Sequence, residues 1–202
     1  MLKTKWSENV ILVDGDYVDK VTFDLIVNFE RMLMRRIPNA DLAHWLECIA
    51  LDGGIRPLGE EKKEERQVQV IFVHKNDRLQ YFNPSSYTDD MDGKAFKSNI
   101  AEFMLTSGLW KEENTELNDY TGYFCEVLEM LATAKEIKKI MVIPNAEQYL
   151  YEVKSRLKDI TDKDITVFTM QPQTGGNYKQ EILGYSLLSA LGISATEIEQ
   201  SK

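Results

Sequence analysis

Asp14, Gly15 and Asp16 directly follow four apolar residues, Val10, Ile11, Leu12 and Val13. Two carboxylates this close suit a hard cation such as Mg²⁺ or Mn²⁺, which takes one or two carboxylates and keeps several waters. Gly15 lets the backbone bend between them. The same pair also suits a plainer role, because an aspartate after a strand forms turns and caps helices. A second acidic group, Asp89, Asp90 and Asp92, lies in a turn-rich stretch closed by Gly93. A third candidate is Asn145 with Glu147, just beyond an apolar run at residues 140–143. Other chemistries have less to work with. Gly175-Gly176 lacks the lysine and the spacing of a phosphate loop and no G-x-G-x-x-G is present, so no nucleotide cofactor is indicated. His44 and His74 stand apart without metal-ligand spacing, and the sequence assembles neither a Ser-His-Asp nor a Cys-His set.

These residues need a scaffold. The run at 10–13 is too short for a free-standing helix and rich in β-branched types, as in a strand buried on both faces. In an open α/β sheet the ligand crevice lies beyond the carboxyl ends of the strands, so such a strand delivers Asp14 and Asp16 to that edge. Asp19 or Thr22 is the expected cap of a following helix that runs to about residue 36, and Pro38 stops it. Asn39 is expected to cap a second helix, in which Leu42, Trp45, Leu46, Ile49 and Ala50 make one apolar stripe. Residues 68–73 read as the next strand, with 79–82 as an antiparallel hairpin partner. Residues 94–110 accept either a helix or a strand. A helix over 120–134 has Asn118 or Asp119 as its cap, and Asn145 with Gln148 forms a capping box after the strand at 140–143. Residues 165–169 form a further strand, and 180–191 a closing helix ended by Gly192. Strands alternating with helices imply parallel strands joined by right-handed crossovers: an α/β fold, a three-layer α/β/α sandwich with a mainly parallel, doubly wound sheet. Residues 1–202 read as one domain, with a flexible, charged loop at 56–66 and a tail that frays after Ser194.

Composition narrows the function classes. A chain of 202 residues that is 43% hydrophobic is long enough and apolar enough to bury a full core. Its apolar runs are shorter than the roughly 20 residues that span a bilayer, and residues 1–6 carry two lysines but no apolar leader. Cys48 and Cys125 share no paired spacing, so a cytoplasmic protein with reduced thiols is expected. The net charge of −9 removes the electrostatic attraction that dominates nonspecific nucleic-acid affinity. Arg31, Arg35 and Arg36 fit as cations near a helix C-terminus.

The stretch Asn9-Val10-Ile11-Leu12-Val13-Asp14-Gly15-Asp16-Tyr17-Val18 resembles the first strand of NYN domains, the PIN-like ribonuclease family. The later stretch 140–168 is similar in plan to that family's strand, acidic turn, helix and strand. The resemblance implies a PIN-like or Rossmann-like fold and a Mg²⁺ or Mn²⁺ site held by Asp14, Asp16 and Glu147. Asp89, Asp90, Asp92 and Asn145 are auxiliary candidates. Two metals in such a cluster activate a water and stabilise the leaving oxygen of a phosphodiester. Asn145 stands where the family has a carboxylate, which leaves the cluster a charge short. An intact nuclease requires Asp89, Asp90 or Asp92 to fold over the strand ends and replace it, and otherwise the resemblance implies a degenerate version that binds or scaffolds, with RNA or a protein as its partner. The same aspartates are similar to the first motif of haloacid-dehalogenase-like phosphatases, which implies Asp14 as nucleophile and Asp16 as acid/base. An acidic protein-interaction module without catalysis is the third reading.

Overall fold

The computed structural model describes residues 5–59, 66–112 and 119–202. Its centre is the strand β1 (Asn9–Asp14), whose residues Val10 to Val13 are wholly buried. Alternate side chains of β1 enter two separate apolar clusters. Ile11 and Val13 join one, Val10 and Leu12 the other. A strand covered on both faces reads as a continuous apolar run, because each face must be dry. Each of the four buried side chains stabilises the fold by about 1.5–3 kcal/mol.

The helix α1 (Gly15–Leu33) follows β1 with no linker. The first of the short strands, β2 (Ala40–Asp41), leads into α2 (Leu42–Asp52), and the next long strand is β3 (Gln67–His74). After it come β4 (Phe82–Asn83), one π-helical turn at Tyr87–Met91, β5 (Ala95–Lys97) and β6 (Glu102–Leu109). The remainder is α3 (Tyr120–Thr133), β7 (Lys139–Ile143), α4 (Ala146–Leu157), β8 (Asp164–Thr169), β9 (Lys179–Ile182), α5 (Leu183–Ala190) and α6 (Ala195–Gln200). Seven strands make one sheet in the order β5-β6-β3-β1-β7-β8-β9. Every neighbouring pair is parallel except β5 with β6. The fold is α/β, a mainly parallel, mixed sheet flanked by helices. Residues of α1, α2 and α5 belong to the cluster with Ile11, and residues of α3 and α4 to the cluster with Val10.

Five expectations are corrected. α2 is capped by Asp41, which accepts the His44 N–H at 3.1 Å, and not by Asn39. α1 is capped by Asp14, which accepts the Tyr17 N–H, and not by Asp19 or Thr22. The 79–82 segment is no hairpin partner of β3, since β4 pairs parallel to β2 in a separate two-stranded ladder while β6 lies beside β3. The cause is local: the Asp19 carboxylate accepts the amides of Gln80 and Tyr81 at 3.0 and 2.9 Å, so those donors serve α1. The closing helix begins only at Leu183, and the residues before it form β9, an edge strand on β8. The residues after Ser194, expected as an unstructured tail, form α6, which Ser194 caps and whose Glu197 receives two guanidinium bonds from Arg35. Residues 94–110 resolve as strands. Asn118 and most of the 56–66 loop lie outside the described residues, and Asp119 caps α3.

Candidate functional site

β1 pairs with β3 on one side and β7 on the other, and from this centre the chain runs outward in both directions. The carboxyl ends of β1 and β7 flank the point where the strand order reverses, the position at which open α/β sheets bind ligands. Asp14 ends β1, and Asn145 begins α4 just after β7. Both therefore stand at this edge, as the sequence requires.

The Asp14 carboxyl is 1% exposed, and the chain itself supplies its hydrogen-bond donors. Oδ1 accepts the Tyr17 amide at 3.0 Å and the Tyr120 hydroxyl at 2.9 Å. Oδ2 accepts the Tyr149 hydroxyl. Tyr120 also reaches the Val73 carbonyl at 3.0 Å, so one hydroxyl hydrogen faces two acceptors. A proton on Asp14 Oδ1 would satisfy both, because Tyr120 could then accept from the acid and donate to the carbonyl. Burial acts in the same direction and pushes the Asp14 carboxyl above the ordinary carboxylate range. The bonds from Tyr149, Tyr17 and Tyr120 oppose that shift, and the Asp16 charge adds to it. Burial, then the nearby Asp14, also holds the Tyr120 and Tyr149 phenols far above their ordinary value. Tyr17 is pushed up to about 12 by burial and by the charges of Glu147 and Asp14.

Packing fixes the two tyrosines. Tyr149 lies in α4 at a local departure from helical geometry (φ −140°, ψ 32°), is buried and packs on Phe124 with ring centres 5.2 Å apart. Trp110 meets Tyr120 edge-on at 6.1 Å, and the Lys75 ammonium lies 4.8 Å from the centre of the Tyr120 ring.

The Asp16 carboxylate accepts the Lys75 amide at 2.7 Å and the Asn76 amide at 3.4 Å. It holds the turn that leaves β3. The fully buried His74, the last residue of β3, precedes this turn, with Nδ1 2.7 Å from the Asn76 carbonyl and Nε2 2.6 Å from Ser107 Oγ. A carbonyl only accepts, so Nδ1 carries the hydrogen and Nε2 accepts from Ser107. Burial lowers the His74 pKa and keeps the ring neutral. Tyr87 stacks on His74 at 3.7 Å, and its buried hydroxyl has no hydrogen-bond partner among the described residues. That hydroxyl abuts Gly15: a Cβ there would lie 2.0 Å from Tyr87 Oη. The glycine is needed for this close approach and not for a bend, since it opens α1 without a positive φ.

The other expected ligands serve elsewhere. Glu147 is exposed and pairs with Lys20 at 3.1 Å, while Asn145 caps α4 by accepting the Glu147 amide at 3.2 Å. Asp90 accepts the Ser86 amide at 3.0 Å, the Asp89 amide donates to Ser86 Oγ at 3.1 Å, and Asp92 accepts the Ser107 amide at 2.7 Å. These three carboxylates belong to the π-helical turn and its contact with β6. Among the described residues, no group of three or more His, Cys, Asp or Glu side chains is arranged to hold a metal ion. Asp14 and Asp16, with both carboxyl groups engaged by hydrogen-bond donors, do not fit a Mg²⁺ or Mn²⁺ cage.

Tyr120 and Tyr149 lie within the helices expected over 120–134 and after Asn145, and nothing in the sequence marks them as partners of Asp14. Their separations of 106 and 135 residues from Asp14 leave no local signal. Sequence reasoning missed a cluster of His44, Cys48 and Ser189 at the rim between α2 and α5. The i, i+4 spacing of His44 and Cys48 was a readable sign.

Among the described residues no helix is long and apolar enough to cross a membrane. No curated protein and no solved structure matches the chain. The model of DUF6621, a family of unknown function, matches residues 3–198, nearly the whole sequence, and the chain belongs to that family.

Proposed function

We propose that this chain is a binding or scaffolding module on a PIN-like, Rossmann-like plan, a three-layer α/β/α domain of the NYN type whose acidic crevice now serves the fold. The central β1 between β3 and β7, the two apolar clusters divided by alternate β1 residues and the aspartate pair at the strand end support the plan. One observation carries the functional reading: the Asp14 carboxyl is buried, and its two oxygens take three hydrogen bonds from Tyr17, Tyr120 and Tyr149. A nuclease carboxylate must face a cation, and a phosphatase nucleophile must reach phosphorus. Neither is served by a 1% exposed group. The net charge of −9 favours a protein over RNA as the partner.

The test is activity of the purified chain and its Asp14→Asn variant on single-stranded RNA with Mn²⁺, and on a generic phosphomonoester with Mg²⁺. The expected result is no turnover of either. Cleavage of RNA by the wild type that vanishes in Asp14→Asn would restore the nuclease reading, and phosphomonoester hydrolysis with the same dependence would restore the phosphatase reading.

A further inference from the structure

His44 and Cys48 stand one turn apart on α2, so both project from the same helix face. Ser189, in the last turn of α5, meets them across the seam between the two helices. Buried Trp45 fixes that seam by donating its indole N–H to Ser186 Oγ at 3.1 Å. At the rim, His44 Nε2 lies 2.8 Å from Ser189 Oγ and 3.7 Å from Cys48 Sγ, and Cys48 Sγ lies 3.8 Å from Ser189 Oγ. His44 and Ser189 are exposed and Cys48 is half-buried, a free thiol.

We propose that His44 and Cys48 form a binding site for a thiophilic divalent cation of the Zn²⁺ and Cd²⁺ class, with the Ser189 hydroxyl as a third, weaker donor. The geometry carries this. A tetrahedral zinc with its usual bond lengths to sulfur and to imidazole nitrogen holds the two ligand atoms about 3.6 Å apart. The observed separation of 3.7 Å needs almost no rearrangement. With the ring hydrogen on Nδ1, the Nε2 lone pair that now accepts from Ser189 is the one a cation would take. The Cys48 S–H loses its proton to solvent as the sulfur–metal bond forms, one proton released per cation bound. Burial first, then the carboxylates of Asp52 and Glu47, raise the thiol pKa despite the Ser189 bond. The same carboxylates attract a divalent cation. Thiolate with imidazole selects soft and borderline metals and discriminates against Mg²⁺, the opposite preference to an all-carboxylate set. Two strong protein ligands leave positions for water, so the site is an exchangeable one and not a structural four-ligand zinc.

The test is titration of the full chain with Cd²⁺, followed by the ultraviolet charge-transfer band of the cadmium–thiolate bond and by calorimetry. The expected result is one Cd²⁺ per chain and a band that excess Mg²⁺ does not remove. The band should be lost in Cys48→Ser and kept in Cys125→Ser and Asp14→Asn. His44→Ala should weaken binding by more than the 10–100-fold, roughly, that loss of a supporting partner costs. Absence of the band in the wild type, its survival in Cys48→Ser, or wild-type affinity in His44→Ala would overturn the proposal. Circular dichroism of each variant separates a lost ligand from a lost fold.

Discussion

Replacing Asp14 by alanine removes the acceptor on which three donors from three helices converge. Tyr120 keeps the Val73 carbonyl, but the Tyr17 amide and the Tyr149 hydroxyl lose their partner inside the protein. Each orphaned buried donor costs about 1–3 kcal/mol, so the gross loss is about 2–6 kcal/mol. Relief from burying the carboxyl offsets about 1–2 kcal/mol of this, and a net loss of about 1–4 kcal/mol remains. In a domain of this size that lowers the melting temperature by about 2–16 °C. Asp14→Asn should cost less, about 1–3 kcal/mol, because an amide oxygen still accepts while its NH2 displaces one donor. A catalytic or metal-site aspartate behaves in the opposite way, since removing it relieves repulsion from Asp16 and leaves stability equal or higher. The assay is urea unfolding in the absence of divalent cations, with a double-mutant cycle against Tyr149→Phe. The cycle should return a coupling of about 0.5–3 kcal/mol. Asp14→Ala within about 0.5 kcal/mol of the wild type, or above it, would refute the reasoning, because surface-like tolerance is what a non-structural carboxyl gives.

Asp14 should also leave a signature in pH. Its folded-state pKa is raised, so its contribution to stability is fully present below the ordinary value of 3.8 and is lost as pH rises through the folded-state value. The stability advantage of the wild type over Asp14→Asn should therefore be largest at low pH and shrink with rising pH. Paired urea titrations across the acid range check this, and an advantage that grows with pH would contradict it. At the neighbouring turn, Tyr87→Phe should be neutral or stabilising, because the hydroxyl it removes has no partner among the described residues. Gly15→Ala should destabilise by about 1–3 kcal/mol by overpacking against the Tyr87 ring, and Tyr87→Phe should rescue it only in part, since the new Cβ would still lie 2.9 Å from Tyr87 Cζ. Thermal melts of the two single variants and the double variant measure both effects.

The parts of the fold legible in the sequence are those whose burial is continuous or regularly spaced. The run Val10 to Val13 announces a strand because both of its faces are covered, and the stripes of α2 and α3 announce helices because one face of each is. β9 (Lys179, Gln180, Glu181, Ile182) is polar and carries no apolar alternation, so nothing in its sequence marks a strand, and only pairing to the edge of β8 makes it one. The segment before β4 looked like a hairpin arm, yet Asp19 takes its amides from 61 and 62 residues away. The site was half legible. The place of Asp14 at a strand end follows from the apolar run before it, and the neighbouring β7 follows from the alternation of strands and helices. The use of that carboxyl does not follow, because a D-x-D looks the same whether it faces a cation or two tyrosine hydroxyls. Tyr120 and Tyr149 decide between the two, and they sit on α3 and α4, where their spacing speaks only of packing.

The most direct measurement of the central claim, that Asp14 serves the fold and not a hard cation, is the melting temperature of the chain with and without millimolar Mn²⁺. It is best made in a Cys48→Ser background, so that no thiolate takes part. A cation held by Asp14 in the folded state alone would add about 2.7 kcal/mol at a hundred times its dissociation constant. No Mn²⁺-dependent rise that requires Asp14 is expected. A rise in the Cys48→Ser protein that disappears on adding Asp14→Asn would contradict it.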